Sequence, residues 1–437
     1  MIDPLASRFV NLPFGETMFK TICFSYLLMT GLACRADEAP LTFTPEKAVA
    51  LALRGNRDLM AARFGIRQAE ARLKQAGLLP NPELELGRAN DRLLKNEGEY
   101  NLSAGFKQRF PITGRLAKER AVARVDVALA LAEVRNQERL FVGEVMDRSR
   151  EWIVLSDKLK ANEETLGIIQ KLVDSAEKRL KVAEVSEADV NLSKLEAEKL
   201  SLAKAALLNQ QEIATTELNG LLGRNPKTPL VLTGFTNLEL NAGALATAAR
   251  QANSKRPDHQ LAALGIDRAA AEIILAQAGK WEDWTVGFAY SRSVGKFSTP
   301  IGTKADNLIG ISLSVPLPFW NTNSGKVSEA EANRQRNAAE LSALELRIQT
   351  ETQSAENQMR RHQGILRRYR DVSLRLAETN MGLLQKGYSE GLYPITAVIQ
   401  AQQQFTQLRQ SYLESVGDFL KARTAWETAT ATVLPAR

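Results

Sequence analysis

The 437-residue chain contains only two cysteines and two histidines. Soft ligands this scarce argue against a disulfide framework and against a Cys/His zinc site. His259 and His362 stand far apart with no cysteine near either. The phosphate-cradling, nucleophile-elbow and H-E-x-x-H patterns are missing. These absences point away from an enzyme and give no reason to expect a cofactor or bound metal. Past the N-terminal region no stretch of about 18 consecutive apolar residues occurs, so a helical membrane span is not expected. The net charge of +7 is modest for this length. Arg360-Arg361-His362 and Arg367-Arg368-Tyr369-Arg370 read as a charged helix face, and no nucleic-acid partner is expected. Proline is absent between Pro111 and Pro226 and between Pro318 and Pro394. Aromatics are only 6%, while Ala, Leu, Glu, Gln and Arg, all good helix formers, abound.

The N-terminus reads as an export signal over residues 1–36. Lys20 precedes an apolar run from Ile22 to Ala33, too short to span a bilayer. The upstream stretch carries Asp3 and Glu16, so Met18 is a plausible true start. Cleavage after Ala36 would remove both cysteines; cleavage before Cys34, with lipid attached to it, is the alternative. An exported chain without an apolar helix can enter a membrane only by strands.

The remainder is one unit written twice. Leu73-Lys74-Gln75-Ala76-Gly77 returns as Leu275-Ala276-Gln277-Ala278-Gly279. Two alternating segments follow each copy and end at Pro111 or Pro316. A helical stretch, a turn and a second helical stretch come next. The expected division is a first repeat over 37–222, a linker over 223–242, a second repeat over 243–433 and a tail over 434–437.

Gly114 to Lys181 as one helix would be roughly 100 Å long. Leu155, Leu159, Leu166, Ile169, Val173, Ala176 and Leu180 form a heptad seam, with Asn162 filling one position. Taken alone, this pattern also fits a soluble coiled-coil scaffold or the hairpin of a periplasmic adaptor.

Four strands are predicted, over 83–90, 99–110, 284–291 and 307–316. Leu102 and Phe106, Trp284 and Phe288, and Ile309, Ile311 and Leu313 fall on apolar faces, and small or polar residues alternate with them. This is the pattern of a membrane barrel facing lipid, although a half-buried sheet on a soluble core shares it. Tyr100, Phe110, Trp281, Trp284 and Tyr290 lie near strand ends, where interfacial aromatics belong. Four strands cannot close a barrel, for which about eight is the minimum. Several chains must therefore share one, and three would supply roughly twelve strands.

The opening Leu41-Thr42-Phe43-Thr44-Pro45-Glu46, the segment Gln75-Ala76-Gly77-Leu78-Leu79-Pro80-Asn81-Pro82 and the turn Gly387-Tyr388-Ser389-Glu390-Gly391-Leu392 resemble, in this order, the TolC-like outer-membrane efflux duct family. The CzcC-type heavy-metal branch is the nearest in pattern. The resemblance implies a mainly α fold with a small β part. The duplicated unit would build an α-barrel of very long coiled-coil helices and lend four strands per chain to a trimeric 12-stranded outer-membrane β-barrel. It implies a Gram-negative outer-membrane location extending into the periplasm, and as partners two further copies, outer-membrane lipid, a periplasmic adaptor and an inner-membrane RND pump. Heavy-metal cations are the implied cargo; drugs or type I protein secretion are the alternatives. The tips that would meet the adaptor are Val182, Ala183 and Glu184, and Glu390, Gly391 and Leu392. The family often carries an aromatic residue at Leu180 and Gly at Ala183. Asp189 and Gln400 are the expected periplasmic gate residues, with Ala397 and Gln400 standing where relatives often carry Asp.

Overall fold

The computed structural model describes residues 41–91, 98–233, 242–298 and 301–433. The expected leader with Met18 and Cys34 lies outside these residues, as do 234–241 of the expected linker and the tail 434–437.

The first half runs β1 (Leu41–Phe43), α1 (Pro45–Gly55), α2 (Arg57–Gln75), β2 (Glu83–Asn90), β3 (Tyr100–Phe110), α3 (Arg115–Lys181) and α4 (Glu187–Leu221). Strand β4 (Leu230–Leu232) then pairs in parallel with β1, joining the linker region to the start of the chain. The second half repeats the order with α5 (Ala242–Lys255), α6 (Pro257–Ala278), β5 (Trp284–Ser298), β6 (Ile301–Ser314), α7 (Ser324–Arg368), α8 (Leu374–Ser389) and α9 (Ile395–Ala429). A five-residue π-helical turn, Tyr369–Ser373, separates α7 from α8. The proline-free first stretch is thus one helix of 67 residues, whereas its counterpart is interrupted.

The long helices lie side by side in the order α4, α3, α9, α7–α8. Nearer the strands, α2 packs on α3, and α6 packs on both α3 and α7. Among the described residues, α3 and α7 therefore pass through both levels; α2 stands above α4, and α6 above α9. Because α3 has neighbours on two sides, its buried positions are not confined to one seam. Ala161, Asn162, Thr165, Ile169 and Ala176 are buried, a stripe partly shifted from the expected leucines. Asn162 donates to the Leu200 carbonyl at 3.0 Å, tying α3 to α4 through the polar seam position.

The stacked helices meet at two related joints. Asn56, the N-cap of α2, accepts from Leu59 N and donates to the Leu221 carbonyl at the end of α4. Arg256 precedes α6 in the same way and donates to the Ala429 carbonyl at the end of α9. Each residue satisfies an orphan carbonyl left by the helix below. Arg256 also pairs with Asp258 at 2.6 Å and Glu351 at 2.7 Å, and Arg139 reaches Asp258 at 3.3 Å. Around the first joint Phe43, Ala52, Val142, Leu218 and Leu230 form one core; Met359, Phe419 and Trp426 anchor another beside the second. Close approach of α3 and α9 requires Gly143, since a Cβ there would lie 2.5 Å from Thr428 Oγ1.

Candidate functional site

The four longer strands form one antiparallel sheet in the order β2-β3-β5-β6. The second hairpin is longer than the expected 284–291 and 307–316: β5 continues to Ser298, and β6 begins at Ile301 and ends at Ser314. Residues 292–298 and 301–306 carry little apolar alternation. Their pairing with each other extends the ladder beyond the apolar zone.

Register decides what each face can do. Leu84, Phe106, Phe288 and Ile311 stand in one cross-strand row; Leu86, Ala104, Tyr290 and Ile309 stand in the next. Val286 pairs with Leu313, and Phe110 with Trp284. All seven expected lipid-facing residues share this face, and all but the half-buried Trp284 are exposed. Ile311 is 82% exposed. Beyond Ile309 the row Arg88, Leu102, Arg292, Asn307 carries two arginines, so Leu102 sits at the polar margin. The opposite face is small or charged, with Lys107–Glu85 at 2.6 Å and Arg109–Glu83 at 2.8 Å. An uncovered apolar face on a sheet whose other face carries ion pairs fits lipid on one side and water on the other. Among the described residues, strands β2 and β6 each have one neighbour, leaving two open edges; such edges are not tolerated in lipid.

The helical layer is open in the same way. Its margin on α4 exposes Leu195 and Leu202, seven residues apart. Its margin on α7–α8 exposes Ile365, Val372, Leu376 and Leu383 at heptad spacing. One side of the layer is a trough lined by Glu144, Asp147, Glu151, Glu217 and Asp418 together with Arg148, Lys158, Arg347 and Lys421. Burial pushes the Asp147 carboxyl above its ordinary value against the pull of Lys421. Among the described residues, no group of three or more His, Cys, Asp or Glu side chains could hold a metal ion. A wall bearing both signs suits passage of water and solutes better than retention of one ion.

At the far end from the sheet, the two turns are built alike. Glu184 N bonds to the Arg179 carbonyl and Ala183 N to that of Leu180; Leu392 N and Gly391 N bond in the same pattern to Gly387 and Tyr388. Both are Schellman turns, which need a left-handed residue just past the helix. Gly391 has φ +78°, and Ala183 has φ +58° despite its Cβ. Val182, Ala183, Glu184, Glu390, Gly391 and Leu392 are all exposed. The Arg179 guanidinium lies 4.4 Å over the Tyr388 ring, joining the tips.

Asp189 is half-buried in the first turn of α4, and its carboxylate accepts from Ser186 N at 3.2 Å and Ser186 Oγ at 2.8 Å. It closes a capping box, readable in the sequence as Ser186-x-x-Asp189. Gln400 is exposed on α9, and no hydrogen bond joins it to Asp189 among the described residues. His259 pairs with Glu345, away from His362. Trp320, in the loop after β6, was not among the sequence candidates and is the most exposed large apolar side chain described. Its signal is the Leu317-Pro318-Phe319-Trp320 step in a loop otherwise expected to be polar.

The family model described as "Outer membrane efflux protein" matches residues 48–224 and again 248–433. The chain belongs to this family. It is 23% identical over 406 residues to the cobalt-zinc-cadmium resistance protein CzcC of Cupriavidus metallidurans, covering 89% of this chain and 90% of that protein. Over 296 residues it is 26% identical to protein CyaE of Bordetella pertussis, covering 65% of this chain and 62% of that protein. The crystal structure of CusC superposes with a TM-score of 0.70 at 18% identity, covering 89% of this chain and 92% of that one. That of VceC from Vibrio cholerae gives 0.67 at 17%, covering 88% and 95%. As an outer-membrane efflux channel, the chain places its sheet in the outer membrane and its helices in the periplasm. The family is one of transport ducts.

Proposed function

We propose that three copies close into one continuous duct, a twelve-stranded barrel above a helical tunnel, which passes heavy-metal cations received from a periplasmic adaptor and an inner-membrane RND pump. The observation that carries the closure is that each protomer leaves its sheet and its helical layer open on both margins. A head-to-tail contact joins β6 and α7–α8 of one copy to β2 and α4 of the next, and such contacts form a ring when the rotation closes. Edge pairing removes the unpaired backbone groups that lipid would penalise.

The cargo reading is supported by the match to CzcC over nearly the whole of both chains. The duct passes its cargo without binding it, so the mixed charges of the trough are compatible with cations selected upstream. Val182, Ala183, Glu184, Glu390, Gly391 and Leu392 are the surface the adaptor grips, because small residues at Ala183 and Gly391 leave backbone accessible beside Val182 and Leu392. Asp189 and Gln400 line the gate. The test is reconstitution of the purified protein in planar bilayers, with deletion of its gene in the source strain. Stable conductance together with sensitivity to cobalt, zinc or cadmium supports the reading. Conductance with unchanged metal tolerance refutes the cargo, and failure to conduct refutes the duct.

A further inference from the structure

At the hairpin end of the sheet, away from the helices, the lipid-facing side carries charge of one sign. Arg88 of β2 and Arg292 of β5 both stand opposite Leu102 of β3, one on each side of it. Two strand spacings place them about 10 Å apart. Both are exposed, and neither forms an ion pair or a side-chain hydrogen bond among the described residues. The carboxylates of the strands do not serve them. Glu83, Glu85 and Asp306 alternate onto the opposite face, where each has its own cation in Arg109, Lys107 and Lys304. The next row outward on the arginine side, Asn90, Tyr100, Val294 and Ala305, is uncharged. Within the arginine row the Tyr290 hydroxyl donates to Asn307 Oδ1 at 2.9 Å, which leaves the Asn307 amide N–H groups as further donors.

The height of this row suits a headgroup. Leu102 lies eight residues along β3 from Phe110, at the other end of the apolar face. That is roughly 27 Å along the strand and about 21 Å across the membrane at the usual tilt. A lipid-facing band is about 25 Å tall. The arginine stems therefore start at its upper edge, where a cation costs little, and their guanidinium groups reach beyond it.

We propose that Arg88 and Arg292 hold a phosphate of the outer-leaflet glycolipid, lipopolysaccharide, whose acyl chains lie on Leu102, Phe106 and Ile309. Two neighbouring cations with no protein anion on their face take their counter-charge from outside. Planar guanidinium forks match phosphate oxygens better than an ammonium does. With the helices in the periplasm, this end of the sheet meets the leaflet built of phosphorylated glycolipid. The inference rests on placement of the sheet in the outer membrane; neither the cargo nor closure by three copies enters it.

The test uses the purified full chain in neutral detergent with divalent cations chelated. Fluorescence polarisation of labelled diphosphoryl lipid A reads binding, with unlabelled dephosphorylated lipid A and phosphatidylglycerol as competitors. Both competitors should bind at least about tenfold more weakly than lipid A, and Arg88→Gln and Arg292→Gln should each weaken lipid A about tenfold. Arg88→Lys should retain part of the affinity, and Lys304→Gln, on the other face, all of it. Equal binding of dephosphorylated lipid A would mean acyl contact alone, and equal binding of phosphatidylglycerol would mean a site for any anionic lipid; either overturns the proposal, as does an unchanged Arg88→Gln/Arg292→Gln double variant. The competitor comparison is read on the unsubstituted protein, so a misfolded variant does not decide it. Reconstitution in brominated phosphatidylcholine separates the two failures. Quenched tryptophan emission without phosphate preference overturns the arginine site alone, and unquenched emission overturns the membrane placement with it.

Discussion

Lysine placed at two adjacent positions of β6 should give opposite outcomes. Ile311 stands in the central apolar row beside Phe288, and Ser312 pairs with Gly287 on the other face. In Ile311→Lys the charge enters the lipid side near the middle of the band. Lys at the bilayer midplane of a membrane barrel costs about 2–4 kcal/mol. A ring of three carries the change three times, so the assembled barrel loses about 6–12 kcal/mol. In Ser312→Lys the ammonium points into the water-filled side, near the Lys107 and Glu85 pair, where a surface change stays within about 0.5 kcal/mol. The assay is equilibrium unfolding by guanidinium from lipid vesicles, read by tryptophan emission, with the fraction of assembled barrel scored beside it. Ile311→Lys should shift the transition strongly and reduce membrane assembly, while Ser312→Lys leaves both near the unsubstituted values. Equal effects from the two, or a more soluble and fully folded Ile311→Lys chain, would refute the assignment of faces.

At the tips, Ala183→Gly should stabilise and Gly391→Ala should destabilise, each by about 1 kcal/mol, because the left-handed backbone penalises a Cβ; thermal unfolding of the two variants checks the signs. Arg256→Met should cost about 1–3 kcal/mol by leaving the half-buried Asp258 carboxylate and the Ala429 carbonyl without this donor, measurable as a lowered denaturant midpoint. Burial alone would raise the Asp258 carboxyl, but hydrogen bonds from Arg256 and the charges of Arg139 and Arg256 hold it below its ordinary 3.8. A depressed folded-state value means stability that is present above the unfolded pKa and lost as pH falls through the folded one; the denaturant midpoint of Asp258→Asn should therefore depend less on pH in that acid range. Asp189→Ala should cost about 0.5–1 kcal/mol through loss of the reciprocal half of the capping box with Ser186. If conductance and cation selectivity are then unchanged, Asp189 is a helix cap and not a gate residue.

The strands are legible because one face meets lipid and the other water, which imposes a period of two on Leu102 to Phe106 and on Ile309 to Leu313. Where β5 and β6 run beyond the lipid, that selection ends and the alternation fades, so 292–298 and 301–306 do not declare themselves. The 67-residue helix follows from the missing prolines, but the π turn at Tyr369–Ser373 does not, since no proline or glycine lies within it. The edge-to-face contact of Tyr369 with Tyr412 of α9 belongs to tertiary packing and leaves no local mark. The joints at Asn56 and Arg256 are similarly silent, because each residue caps a helix remote in sequence. At the tips Gly391 announces its turn, whereas Ala183 conceals an equivalent one behind a residue that ordinarily favours helix.

The central claim is that one chain cannot seal its own barrel. The most direct measurement is the mass of the purified particle in detergent, by native mass spectrometry with the detergent stripped in the gas phase. The account predicts three copies of the mature chain and dissociation only with loss of the barrel. A stable single copy that stays folded in water without detergent would contradict it.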